Sequence, residues 1–379
     1  MGLAAVESNN GHEVEESTYQ RGVKHLCEGG IERVPRKYVF PVSERPHLGT
    51  ERSDVCCGGN RNLKLPVIDF AQLQGSNRSQ VLEHLADACE EYGFFQLVNH
   101  GIPSQVIEGM RSVGRRFFEL PYEERCKYMN LDMRSPVRCG TSFNQNKDQI
   151  LCWRDFLKLS CHSLPQHLPS WPSNPSDLRE VAANYSLKTK FLYLKLMEAI
   201  LESLGVKEIA PKSMEDQEND WMAKDLENGS QIVMVNCYPA CPEPDLTLGM
   251  PPHSDYGMLT LLLQDESVQG LQIHHGGRWV TVEPIPNSFV VNAGDHLEIF
   301  SNGRFKSVLH RVLVNSSSTR ISFASLHSLS LDSTVRPLPK LIDEANPRRY
   351  KDTDFASFLN YISSVGHKGK NFLDTRKLT

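Results

Sequence analysis

The sequence predicts a mainly β protein with flanking helices, and two observations carry the expectation. Beyond Gln231, short apolar runs recur at close spacing with turn residues between them, the pattern of an all-β sandwich or barrel. Ahead of that point, apolar residues fall at helical spacing over long stretches. A helix-bearing first half therefore serves a β second half.

Residues 1–62 are polar, rich in Glu, Asn and Gly, and lack sustained periodicity, which predicts a weakly ordered leader with one short helix near Tyr19 to Glu28. Region 63–175 opens with a short apolar strand at Leu65–Phe70. Val81, Leu82, Leu85, Ala88 and Cys89 then mark a helix that Gly93 ends. Phe94–Val98 is the next strand, and the Asn99–Pro103 turn leads into a helix running to about Leu120. Met133–Pro175 is irregular and reads as a lid, a substrate-facing surface or a plain connector. Region 176–227 carries a long amphipathic scaffold helix, Leu178–Leu204, whose apolar stripe includes Phe191, Leu196 and Ile200.

Region 228–330 holds the expected strands: 232–236, 259–263, 271–273, 279–282, 289–291, 308–314 and 321–326. Gly276-Gly277, Pro286-Asn287, Gly294-Asp295 and Asn302-Gly303 are the turns between them. The tail, 331–379, contains a predicted helix at Asp354–Ile362 placed to fold back over the barrel mouth.

Composition bounds the function classes. A chain of 379 residues that is 39% hydrophobic and 23% charged is long enough for one large or two ordinary domains. Its net charge of −5, from 41 basic and 46 acidic residues, shows no bias toward nucleic acid or anionic membrane. No apolar run approaches the roughly 20 residues of a bilayer span, and the first residues lack a basic segment followed by an apolar one. Gly2 fits a myristoylation motif, but Val6 stands where that motif needs Ser or Thr. The expectation is a cytoplasmic monomer whose partner is a small-molecule substrate. The ten cysteines are irregularly spaced and read as reduced, mostly buried thiols. Neither Cys56-Cys57 nor Cys237 and Cys241 has a second pair at zinc-site spacing.

The chemistry centres on His253-x-Asp255 and a distant His310. Two imidazoles and one carboxylate hold iron(II) on one face and leave the other open for oxygen chemistry. With 14 His and 46 acidic residues, on the order of two His-x-acid triplets arise by chance, so the pattern alone decides nothing. Indeed His296-x-Glu298 is a second. Geometry separates them: positions i and i+2 of an extended segment share a face, so His253 and Asp255 can converge on one ion while His310 arrives from another strand. The same period pairs Arg320 with Ser322 and Asn236 with Tyr238. A guanidinium in the apolar 321–326 strand needs a partner, either a dicarboxylate ligand or an internal Asp or Glu.

Taken together, these residues resemble the plant-type soluble iron(II) and 2-oxoglutarate-dependent dioxygenases that act on small molecules. The resemblance covers about 62–365. It rests on Pro66-Val-Ile-Asp69, the Gly93–Gly101 run, Phe117–Pro121, Trp153-Arg154-Asp155, Asn236–Pro239, His253-Ser-Asp255, Asn292-Ala-Gly-Asp295, Ser301-Asn-Gly303, Lys306–Val312 and Arg320-Ile-Ser322. It implies a distorted double-stranded β-helix, a jelly roll, with N-terminal helices packed around it.

The resemblance further assigns His253, Asp255 and His310 to iron, and Arg320, Ser322 and Tyr238 to the far carboxylate of 2-oxoglutarate, with Asn236 near its metal-bound end. Dioxygen is the second cosubstrate, ascorbate the expected reductant, and His296-x-Glu298 matches no ligand position. No general base is expected, because the protein contributes positioning and a dry cavity. Phe143, Phe156, Phe323 and Leu326 are the pocket-wall candidates by position, with ordinary core packing the alternative for each. Flavonoid-oxidising members commonly carry Phe at the position of Leu326, so the chain looks closer to another specialised-metabolism branch. Two other readings stand beside the oxygenase: an iron oxidase that dispenses with 2-oxoglutarate, distinguishable by succinate formation, and a non-catalytic binding protein, which degenerate ligands would mark.

Overall fold

The computed structural model describes residues 21–46, 62–130, 132–143, 148–206, 224–365 and 371–378. Thirteen strands are present among them: β1 Asn62–Leu63, β2 Val67–Asp69, β3 Phe94–Val98, β4 Val137–Thr141, β5 Asp155–Ser160, β6 Gln231–Tyr238, β7 Met250–His253, β8 Leu259–Leu263, β9 Leu271–His275, β10 Arg278–Val282, β11 Phe289–Ala293, β12 His310–Val312 and β13 Arg320–His327. They form a five-stranded sheet, β1-β10-β9-β12-β7, and an eight-stranded sheet, β2-β3-β11-β8-β13-β6-β5-β4. This is the expected jelly roll with flanking helices.

Alternation along the eight-stranded sheet divides two environments. In β13, Arg320, Ser322, Ala324 and Leu326 face an internal cavity, while Ile321 and Phe323 join the main core. In β6, Met234, Asn236 and Tyr238 face the cavity, and Val233, Val235 and Cys237 face the core. Period-2 geometry thus builds a site on one face and a scaffold on the other.

The helices are, in chain order, α1 Val23–Glu28, α2 Arg78–Asp87, α3 Ser104–Glu119, α4 Leu178–Ser203, α5 Asp295–Phe300 and α6 Phe355–Val365, and α3 and α4 cover the scaffold face. Of these, α4 and α3 pack together, and both lie against β13. Gly114 of α3 has no room for a side chain, since an added Cβ would sit 2.5 Å from Phe323 Cε1. Gly93, at φ 63°, ends the α2 segment in the left-handed region, as expected of a glycine at that position.

Three expectations are corrected. The leader is packed over 21–46: Val23, Tyr38 and Phe40 are buried, and Asp155 accepts the Val23 and Lys24 backbone N–H groups at 2.8 Å each. The remaining leader positions lie outside the described residues. Met133–Pro175 is not merely irregular, because β4 and β5 extend the large sheet beside β6; buried Arg138, Arg154 and Asp155 disguised them as loop. Phe191 is exposed, as is Leu187 one turn earlier, so the apolar stripe of α4 is narrower than its composition.

Candidate metal centre and cosubstrate site

Cross-strand pairing assembles the site. His310 in β12 is the register partner of His253 in β7. In the other sheet Arg320 pairs with Tyr238 and Ser322 with Asn236. Candidates far apart in sequence are thereby brought together as neighbours on facing strands.

The ligand atoms of His253, Asp255 and His310 all lie within 4.8 Å of one another, and no other such cluster occurs among the described residues. Asp255 Oδ1 is 3.9 Å from His253 Nε2 and 3.7 Å from His310 Nε2. The three donors converge on one point, and two imidazoles with a carboxylate are a donor set that iron(II) takes. Each imidazole is oriented from behind. His253 Nδ1 donates to the Pro251 carbonyl at 2.9 Å and His310 Nδ1 to the Val308 carbonyl at 3.2 Å, which leaves both Nε2 atoms as acceptors aimed at the shared point.

Asp255 is held the same way. Its Oδ2 accepts from Thr260 Oγ1 at 2.6 Å and Asn292 Nδ2 at 2.8 Å, and these two residues are themselves cross-strand partners of β8 and β11. Burial pushes the carboxyl upward, but His310, His253, Asn292 and Thr260 together hold it below the ordinary carboxylate range. It is therefore charged and ready to bind a cation.

Arg320 is 2% exposed, yet its Nε and Nη1 have no hydrogen-bond partner among the described residues. Its Nη2 reaches Gln264 Oε1 at 3.3 Å, and the guanidinium lies over the Tyr238 ring at 5.4 Å. The alternative of an internal ion pair is corrected, because no carboxylate of the described residues comes within ion-pair distance of it. A buried guanidinium with unsatisfied donors fits a ligand carboxylate. Ser322 and Tyr238 lie beside it in the cavity wall.

The cavity is about 310 Å³. Phe143, Phe156 and Leu326 line it as expected, and Phe143 stands edge-on to His253 at 6.1 Å. Phe323 does not: it is out of phase with Arg320 and Ser322 on β13 and packs into the core against α3. The His296-x-Glu298 pair lies in α5 as structural residues. His296 Nδ1 is 2.6 Å from Ser328 Oγ, while Glu298 accepts from the Ser307 N–H and the Tyr350 hydroxyl.

Sequence reasoning missed Thr260, Asn292, Arg138, Arg154 and Lys158, all of which border the cavity. Asn292 and Arg154 sit inside quoted motifs, so the signal was present without a role attached. The tail helix does close the cavity: Phe355 and Phe358 of α6 line it, with Phe358 stacked on Tyr256 at 3.7 Å.

Comparison with known proteins decides the family. Residues 229–328 match the 2OG-Fe(II) oxygenase superfamily, and 65–176 match the N-terminal region named for a non-haem dioxygenase in morphine synthesis. Protein DMR6-LIKE OXYGENASE 2 of Arabidopsis thaliana is 38% identical over 349 residues, covering 92% of this chain and 95% of the relative. The chain belongs to the 2OG-Fe(II) oxygenase superfamily.

Flavanone 3-dioxygenase 2 of Oryza sativa subsp. japonica is 40% identical, with 86% of this chain and 89% of the relative covered. Among solved structures, JOX2 in complex with 2OG, Fe and JA superposes with a TM-score of 0.80 at 33% identity, covering 94% of this chain and 98% of JOX2. As a member of this superfamily the protein is a 2-oxoglutarate-dependent dioxygenase, with iron(II) as its metal and 2-oxoglutarate as cosubstrate.

Proposed function

We propose that the chain oxidises a small plant metabolite, most simply by hydroxylation, while 2-oxoglutarate is converted to succinate and carbon dioxide. His253, Asp255 and His310 are the iron ligands of this reading. Arg320, Ser322 and Tyr238 take the far carboxylate of 2-oxoglutarate, and Asn236 stands near its metal-bound end. The observation that carries it is the conjunction of an oriented His-Asp-His cluster with a buried, unsatisfied Arg320 in one cavity.

Iron, when bound, supplies the activation of dioxygen that the side chains of this cavity cannot perform. The residues supply order. Pro251 and Val308 carbonyls fix the imidazoles, Asn292 and Thr260 fix the carboxylate, and Arg320 sets the distance at which a dicarboxylate can span from β13 to the ligand cluster. Phe143, Phe156, Leu326, Phe355 and Phe358 hold an apolar body beside the ligands and exclude water.

Arg320 favours this reading over an oxidase that dispenses with 2-oxoglutarate, since its buried donors otherwise lack an acceptor. Intact ligands disfavour a purely binding role. We propose that the protein acts as a monomer in the cytoplasm; no helix among the described residues is long and apolar enough to cross a membrane.

Succinate release tests the reading. Purified protein with iron(II), ascorbate, oxygen and 2-oxoglutarate is expected to form succinate faster with one of several pools of plant phenolics, alkaloids and terpenoids. Retained iron without 2-oxoglutarate binding overturns the reading in favour of the oxidase or the binding protein.

A further inference from the structure

The β4–β5 wall of the cavity is cationic and lacks ion-paired counter-charge. Arg138, Arg154 and Lys158 all line the cavity, and none has a carboxylate within ion-pair distance among the described residues. Asp148 and Asp132 are the acidic groups whose fields reach Arg138. Among the cavity-lining residues Asp255 is the sole carboxylate, and it belongs to the ligand cluster.

Arg154 is the centre of this wall. It is 2% exposed. Its Nη2 donates to the Ser142 carbonyl at 2.7 Å, and its Nη1 approaches Asn236 Oδ1 at 3.4 Å and Met250 Sδ at 3.0 Å, but its Nε has no partner among the described residues. The guanidinium lies over the Phe143 ring at 5.1 Å and the Phe156 ring at 4.9 Å, with Arg138 over the same Phe156 ring at 5.1 Å. Lys158 donates to the Met133 and Ser135 carbonyls. Burial and the neighbouring Arg138 push its ammonium down to about 8, against a weaker opposing pull from Asp132.

Charge balance separates this wall from the cosubstrate. Iron(II), the 2-oxoglutarate dianion, Asp255 and Arg320 together come to neutrality, so the loaded centre offers the three wall cations no net negative charge, and outside it only the fields of Asp148 and Asp132 oppose them, with no ion pair. We propose that this wall receives the carboxylate of the substrate, and that the primary substrate is a small carboxylic acid with an apolar body packed between Phe143, Phe156 and the α6 aromatics. The inference rests on the oxygenase reading, which supplies the loaded centre. A cavity of about 310 Å³ lies at the small end of ligand pockets and suits a compact acid.

The test is calorimetric titration of the iron(II)-loaded full chain under nitrogen. It begins with 2-oxoglutarate, then proceeds with two matched pairs, 4-phenylbutyrate against 4-phenylbutanamide and octanoate against octanamide. The acid of at least one pair is expected to bind at least about tenfold more tightly than its amide, the scale of one charge-assisted hydrogen bond. In Arg154→Gln the acid-to-amide ratio collapses toward one, and Arg154→Lys restores part of it. The amide is the reference within each variant, so altered folding cannot mimic the result; should Arg154→Gln fail to fold, Lys158→Met is read in the same way.

Equal binding of acid and amide by the native chain overturns the proposal, as does binding of neither. Lost 2-oxoglutarate affinity in Arg154→Gln with an unchanged ratio also overturns it, by giving Arg154 to the cosubstrate. Failure of 2-oxoglutarate to bind the native chain sinks the oxygenase reading itself, whereas binding without acid preference sinks this inference alone.

Discussion

Asn292 divides the carboxylate of Asp255. By donating to Oδ2 at 2.8 Å, together with Thr260 at 2.6 Å, it leaves Oδ1 to face the two imidazoles. Removing that donor frees the carboxylate to rotate without removing any ligand. Asn292→Ala is expected to weaken iron binding about 10–100-fold, whereas His310→Ala abolishes iron retention. Metal analysis after dialysis against a weak chelator distinguishes the two, and unchanged iron content in His310→Ala would falsify the ligand assignment.

On the proposed reading, Arg320 acts on the cosubstrate and not on the metal. Arg320→Lys keeps the charge but loses the fork, and is expected to weaken 2-oxoglutarate binding roughly 10–100-fold. Iron content stays at the native level. Titration of 2-oxoglutarate against succinate yield checks this, and a proportional loss of iron would contradict it.

Phe323 belongs to the scaffold. Phe323→Ala leaves a void against Gly114 and Val235 and is expected to cost about 3–5 kcal/mol of stability. The 2-oxoglutarate requirement of the folded fraction is unchanged. A denaturant melt paired with a cosubstrate titration tests both halves; a raised requirement at native stability would return Phe323 to the cavity.

Asp155 ties α1 to the sheet. In Asp155→Asn one of the two backbone N–H groups of Val23 and Lys24 loses its acceptor, at a cost of about 1–3 kcal/mol. Limited proteolysis is expected to cut within residues 21–46 of this variant before any cut in the native chain. The same cutting rate in both would show that other contacts hold the segment.

Cys139 and Cys161 are buried, and burial pushes both thiols up to about 12, while Cys126 is partly exposed. Iodoacetamide at pH 8 is therefore expected to label Cys126 and to spare Cys139 and Cys161 until denaturant is added. Peptide mass spectrometry reads the outcome, and rapid native labelling of Cys139 would contradict the burial.

Alternation decided how much was legible in the sequence. Leu259–Leu263 and Phe94–Val98 were readable as strands because β-branched, aromatic and leucine residues dominate them. β7 was not, since Pro251 and Pro252 cannot donate to a ladder; the strand exists because it lies at the edge of the five-stranded sheet, where proline is tolerated. β5 hid for another reason: it places Lys158 and Phe156 toward the cavity and Leu157 and Leu159 toward the core, so neither polarity nor hydrophobicity alternates cleanly. His253, Asp255, His310, Arg320 and Ser322 were legible because extended geometry puts i and i+2 together. That same rule, applied to β13, excludes Phe323 from the wall that holds Leu326. Asn292 and Thr260 were not legible as a pair, because only the β8–β11 register brings them to one oxygen.

Phe355 and Phe358 close a cavity whose ligand cluster is made much earlier in the chain. During synthesis the ribosome releases His253, Asp255 and His310 before it releases α6. The nascent protein therefore passes through an interval in which the three residues of this cluster can already have met while the chamber beside them stands roofless. Retention of a substrate has to wait for α6, so synthesis of that helix sets the moment at which oxygen chemistry gains a covered place to occur.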